Sequence, residues 1–325
     1  MRDARGKKER NRKELPETGS GPAMRHRMII RRLEKWEHGL TRRLYETVFT
    51  EDDAAFVDYY YQWKTKDSRI YAAQEGDEIC AMVHLNPFQV YVKGTIQTLY
   101  YIVAVATQKE YRCRGLMRRL MAMAEQEAAA EGVQFLFLMP ASEKIYLPLG
   151  YRFFCSQRQG LLAPGTDGRH ETGRKGPAAV CRPLCAQEYG TLAGFANRVL
   201  SSQYDIFVYR GAAYYERLCA EQQAQNGSVM VIETGGHIIG TFCTGEETKG
   251  KTEIREVIAD PASVKEAEAA LRIFAEERGG CRVFGCNWEL FLEEESAEPL
   301  LMGKVPGGGL PEAWKNSRVF IHEVV

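Results

Sequence analysis

The chain has 325 residues, 45% of them hydrophobic and 26% charged, with 43 basic against 43 acidic side chains. These proportions allow a substantial core and about two domains of ordinary size, and they exclude the overall basic footprint of a nucleic-acid binder. The nine cysteines, odd in number and without CxxC or Cys/His ligand spacing, exclude a disulfide framework or a zinc site and read as thiols of a reducing cytoplasm.

Residues 1–23 are dense in charge, Gly and Pro and lack apolar periodicity, which predicts a disordered basic tail. They contain no apolar segment of the secretion-signal type, and no later run approaches the ~20 apolar residues of a membrane span, so no membrane partner is expected. Residues 24–157 then carry a strand at Met28–Leu33 and helices at Arg42–Val48 and Ala54–Lys64, with Thr50 to Asp53 as an acidic cap before the second. Strands follow at Ile70–Ala73, Glu78–Leu85 and Leu99–Thr107, the last apolar enough to be central in a sheet. Leu116–Glu131 is an amphipathic helix with Leu116, Leu120, Ala124 and Ala128 on one face and Gly132 as its stop. A buried strand at Val133–Met139, a short helix near Lys144–Leu149 and a strand at Tyr151–Cys155 complete an α+β domain with a mixed sheet.

Residues 158–178 are Gly-rich and aperiodic, which predicts a linker before a second domain at 179–290. In that domain Gly235-Gly236 sits between two β-prone runs as a hairpin signal, followed by a strand at Glu253–Ile258, a helix at Ala262–Arg278 and a strand at Cys281–Cys286. Three strands, a helix and a strand repeat the order of the first domain. Residues 291–325 form a C-terminal segment whose closing RVFIHEVV is β-like.

One feature is not repeated. Between strand and helix the first copy reads VAVATQKEYRCRGLMRRL, whereas the second reads REVIADPASVKEAEAAL. Arginines needed only to close a turn belong in both copies, so Arg112, Arg114 and Gly115 point to a ligand. A helix N-terminus offers unpaired N–H groups and partial positive charge, glycine permits close backbone approach, and guanidinium groups suit a pyrophosphate. The full Gly-Lys-Ser/Thr signature of a P-loop is absent.

The run VAVATQKEYRCRGLM resembles the cofactor-binding motif of the GNAT superfamily of N-acetyltransferases, in which a strand feeds an Arg/Gln-x-x-Gly-x-Gly/Ala turn holding the pyrophosphate of acetyl-CoA. Here the turn runs from Arg112 through Arg114, Gly115 and Leu116 to Met117, a bulkier residue than is usual at the last place. A larger residue there, together with VFTEDDAAFVDYYY, HLNPF and LMPASEKIYLPLGYRFF, resembles the branch named for enhanced intracellular survival (Eis) and its shorter bacterial relatives. The resemblance implies a GNAT fold, then a degenerate second GNAT-like domain and a short segment returning towards the active site. It implies acetyl-CoA as co-substrate, no metal, and contacts to pantetheine from Val103, Ala104 and Val105. It places Tyr146 as general acid and the terminal carboxylate, here Val325, as a base; His322, a lone histidine in a terminal strand, reads as structural. The acceptor is a primary amine of a polyamine, an aminoglycoside-like molecule or a lysine, with Asp52, Asp53, Glu323 and Tyr60 expected at its pocket. A non-catalytic acyl-CoA-binding module and sugar O-acetylation remain open at this stage, and a homo-oligomer is expected by fold analogy alone.

Overall fold

The computed structural model describes residues 27–163, 178–246, 252–290 and 292–322; the expected tail at 1–23, Glu323 and Val325 lie outside them. The first half begins with β1 (Ile29–Arg32), α1 (Arg42–Val48) and α2 (Ala54–Trp63). Asp53 starts α2 by accepting the Phe56 N–H at 2.8 Å. Then come β2 (Arg69–Glu75), β3 (Glu78–Val92), β4 (Thr95–Thr107), α3 (Leu116–Ala130), β5 (Leu136–Leu138), α4 (Glu143–Tyr146) and β6 (Arg152–Leu162). The second half contains β7 (Val180–Pro183), α5 (Tyr189–Gln203), β8 (Ile206–Val208), α6 (Ala212–Ala224), β9 (Ser228–Thr234), β10 (His237–Glu246) and β11 (Thr252–Ala259). It continues with α7 (Val264–Glu276), β12 (Cys281–Cys286), β13 (Glu293–Lys304), α8 (Glu312–Lys315) and β14 (Val319–Phe320).

The two halves are copies of one pattern. Strands β1-β2-β3-β4-β5 on one side and β7-β9-β10-β11-β12 on the other follow the same order, antiparallel except for a parallel last pair. The helices α3 and α7 even stop alike. The N–H groups of Gly132 and Val133 bond Ala129 and Ala128 carbonyls, and those of Gly279 and Gly280 bond Glu276 and Ala275, each with the first glycine at positive φ. Each sheet carries a helix layer on both faces. In the first copy Leu116, Leu120, Met121, Ala124 and Ala128 of α3 pack on one face, and Tyr45, Val57 and Tyr60 of α1 and α2 on the other.

The last strand of each copy completes the other copy's sheet. β13 pairs antiparallel with β5, Met302 opposite Leu138, while β6 pairs antiparallel with β12, Val283 opposite Gly160. The exchanged strands also pair with each other, giving one continuous path of twelve strands. Both need a glycine where they cross: a Cβ at Gly160 would stand 2.7 Å from that of Leu292, and one at Gly303 would stand 2.3 Å from the Phe135 ring. This crossing corrects the expected linker, because Arg158 to Leu162 continue β6; their glycine serves close packing rather than a loop. The junction is sealed by Phe88, Tyr101, Phe137, Phe154, Leu301 and Trp314, with Trp314 stacked on Phe135 at 3.8 Å. Lys304, 6% exposed, staples β13 to the first copy by donating to Glu125 at 2.7 Å and to the Leu149 carbonyl at 2.8 Å.

Candidate active site

Two departures from regular β-structure shape the slot in the first copy. The β3–β4 register shifts between the pairs Met82–Ala106 and His84–Val103, a bulge at which Ala104 takes a φ of 50°. The parallel β4–β5 ladder consists of only two pairs, Tyr100–Leu136 and Tyr101–Phe137. Beyond Tyr101 the strands part, leaving main-chain groups around Val103, Ala104 and Val105 without a neighbouring strand on that side. An extended ligand can therefore join β4 as a further strand would.

At the far end of β4 the chain turns through Lys109–Tyr111 into α3. Cys113 and Gly115 both have positive φ, 61° and 72°, on either side of Arg114, and Gly115 is the N-cap of α3. Alternating backbone hands of this kind curl N–H groups inwards into an anion-binding concavity. The first backbone bond of the helix runs from the Arg119 N–H to the Gly115 carbonyl, so the N–H groups of the preceding turn remain available. Arg112, Arg114, Arg118 and Arg119 are exposed, and none has an ion-pair partner among the described residues. Arg112 donates to the Thr107 carbonyl at 3.2 Å and Arg114 to the Glu110 carbonyl at 2.9 Å, while Arg114 lies over the Tyr111 ring. These contacts hold both guanidinium groups at the turn with their charge unneutralised. A hollow of about 360 Å³ opens there, walled by Thr107, Arg112, Gly115 and Met117. Met117 is half-buried, packing against the core under α3 while also walling the hollow. A diphosphate fits this donor set.

Tyr146 ends α4 and is 6% exposed, edge-on to Tyr151 with centroids 6.1 Å apart. Burial raises its pKa above the ordinary phenol value. Its hydroxyl has no hydrogen-bond partner among the described residues. The expected acceptor residues are placed differently. Asp53 is engaged as the α2 cap, Asp52 accepts the Tyr45 hydroxyl at 2.8 Å, and Tyr60 is fully buried with its hydroxyl 3.0 Å from Nδ1 of His84. Burial pushes Asp52 up and His84 down to about 3, so His84 is neutral. The structure brings these residues together with the α1–α2 layer and not with a cavity.

A cavity of about 310 Å³ lies instead at the junction of the copies, lined by Lys64, Phe88, Met139, Arg217, Glu221 and Phe284 among others. Met139 directly follows β5, so the cavity meets the split between β4 and β5. His322 borders it, half-buried, and burial holds its pKa down to about 3. Nothing local in the sequence could have paired Lys64 with Glu221, which are 2.9 Å apart in space; the exchange of strands creates the cavity. No group of three or more His, Cys, Asp or Glu able to hold a metal ion occurs among the described residues, and no described helix is long and apolar enough to cross a membrane.

Residues 29–154 match the family profile of the acetyltransferase (GNAT) domain. The match covers the first copy, which thus carries the sequence pattern of a GNAT acetyltransferase domain. No curated protein matches the sequence. Among solved structures, a protein of Enterococcus faecalis described as a probable N-acyltransferase is 15% identical, with a TM-score of 0.71 over 86% of this chain and 73% of its own. A GCN5-related N-acetyltransferase from Kribbella flavida is 18% identical, TM-score 0.65, over 88% and 72%. Eis1 from Mycobacterium abscessus is 12% identical, TM-score 0.59, over 84% and 73%. At these identities the likeness is one of fold, and it extends across both copies: a GNAT-type α+β architecture with a mixed sheet, present twice.

Proposed function

We propose that the protein is an acetyl-CoA-dependent N-acetyltransferase of Eis-like organisation that acetylates a primary amine by direct attack in a ternary complex. One observation carries the reading: the unneutralised arginine-glycine turn and the parted β4–β5 strands occur in the same copy and are both missing from the other. Acetyl-CoA supplies an acetyl group activated as a thioester. Arg112, Arg114 and the amides of Gly115, Leu116 and Met117 bind its diphosphate, and the main chain of Val103 to Val105 orients the extended arm and donates to the carbonyl. The neutral amine forms a bond to the carbonyl carbon as the carbon–sulfur bond breaks; the Tyr146 hydroxyl gives its proton to the departing thiolate, and the proton shed by the attacking nitrogen restores the phenol through solvent.

Thiol release from acetyl-CoA in the presence of an amine panel tests this. Tyr146→Phe should lower kcat by about a hundredfold or more while acetyl-CoA binding is retained. Because burial raises the Tyr146 pKa, its acid form persists to alkaline pH. The rate should climb as the acceptor amine loses its proton, with no fall below about pH 10. Unchanged turnover in Tyr146→Phe, or a rate falling well below that pH, assigns the acid elsewhere.

A further inference from the structure

The junction cavity is neither acidic nor large, and its carboxylates are already matched. Glu221 accepts from Lys64 at 2.9 Å and from the Tyr59 hydroxyl at 2.6 Å, with Lys64 and Glu221 side chains only 6% and 10% exposed. Glu256 holds Arg210 at 3.1 Å, the arginine being 1% exposed. Glu253 is paired with Arg255. A second ammonium group entering the cavity would have to take one of these carboxylates from its partner and strand a buried cation. Arg217 differs from the other bases: half-buried, it has no ion-pair partner among the described residues. It stands where this cavity meets an outer hollow of about 610 Å³ walled by Trp63, Phe88, Tyr209 and Tyr214.

From this arrangement we infer that the junction cavity receives the acceptor, and that the acceptor carries a carboxylate besides its amine, as an amino acid or short peptide does, rather than several positive charges. Arg217 takes the carboxylate, the amine faces the end of β5 at Met139, and the aromatic outer hollow takes the remaining chain. The inference rests on the N-acetyltransferase reading and narrows its substrate.

The test compares amino acids, ω-amino acids and dipeptides with their carboxamides and with linear polyamines, using acetyl-CoA thiol release as readout. With the parent protein, acids should exceed their amides in kcat/KM by about tenfold to a hundredfold, the worth of a charge-assisted bond. Arg217→Gln should bring that ratio close to one, chiefly by raising KM for the acids, and Arg217→Glu should shift preference to diamines. Melting temperature and acetyl-CoA affinity, unaltered in both variants, confirm that folding and the cofactor slot are intact. A polyamine as the best acceptor, an acid-to-amide ratio near one, or a ratio untouched by Arg217→Gln overturns the inference and spares the enzymatic reading. Absence of turnover with every amine overturns both.

Discussion

The two copies keep the same backbone peculiarity and treat it in opposite ways. Both central strands carry a bulge with a left-handed residue, Ala104 at a φ of 50° in β4 and Glu256 at 52° in β11. In the first copy pairing with the next strand stops before the bulge; in the second it continues through Ile254–Val283 and Arg255–Phe284 to Val257–Cys286. The helix entrance differs as sharply. The first copy surrounds it with four arginines that have no ion-pair partner among the described residues, whereas the second places Asp260 there, its carboxylate capping the Ala262 N–H and bound to Arg198. Capping draws the Asp260 pKa down, so the second entrance repels a phosphate at neutral pH. Against the bulge, the first copy buries His84, bonded to Tyr60, where the second has Cys243, as their registers with Val103 and Arg255 show. The scaffold does not itself require the slot: the same strand order in the second copy has its two central strands paired past the bulge.

The sharpest way to break this contrast is to discharge the first entrance. The Arg112→Ala/Arg114→Ala double variant should bind CoA about a hundredfold more weakly at least, since each charge-assisted contact is worth ~1.5–3 kcal/mol. Calorimetry at two salt concentrations checks it, the remaining affinity losing part of its salt dependence. Removing Arg198 from the second entrance should leave CoA binding unaffected. Equal affinity in parent and double variant would dissolve the difference between the copies.

A smaller effect tests whether the exchanged strands bind the copies into one unit. Lys304→Met removes a buried cation and leaves Glu125 facing the Leu149 carbonyl and the Tyr151 hydroxyl alone. The expected loss is about 3 kcal/mol, read as a lower urea midpoint with both copies unfolding together. Two separated transitions would mean that each copy is stable without its neighbour's strand.

Much of the fold was legible because it follows local patterns. The 3.6-residue spacing of Leu116, Leu120, Ala124 and Ala128, the glycine stop at Gly132 and the Gly235-Gly236 hairpin each specify their element within a few residues. The duplication and the asymmetric turn were legible for the same reason. The strand β13 was not: EEESAEPLLMGK is acidic at one end and contains Pro and Gly, and it becomes a strand through pairing with β5 and β6. β6 was read too short because Gln157, Arg158 and Gly160 resemble a loop until a second strand covers them. The same long-range pairing hides the cavity, since Lys64 shares no local signal with Arg217 and Glu221 of α6. Asp52 and Asp53 showed the reverse hazard, a conspicuous acidic run whose members are occupied by Tyr45 and the Phe56 amide.

The seam of the second copy offers the finest test. Asn287, just beyond β12, receives the Ala259 N–H at 2.8 Å, donates to the Ala259 carbonyl at 2.9 Å, and bonds the Val257 carbonyl through its own N–H at 3.0 Å. It is 7% exposed, so Asn287→Ala leaves the Ala259 pair buried without partners at a cost of about 2 kcal/mol. Hydrogen exchange should then speed up at Ala259 and its neighbours in β11 while the amides of β4 keep their protection. CoA affinity should stay as in the parent, because opening the seam does not supply the arginines or the glycine that the second entrance lacks. A new, second CoA equivalent bound by Asn287→Ala would show that strand separation alone makes the slot, and the weight placed on the Arg112–Gly115 turn would have to move to the bulge.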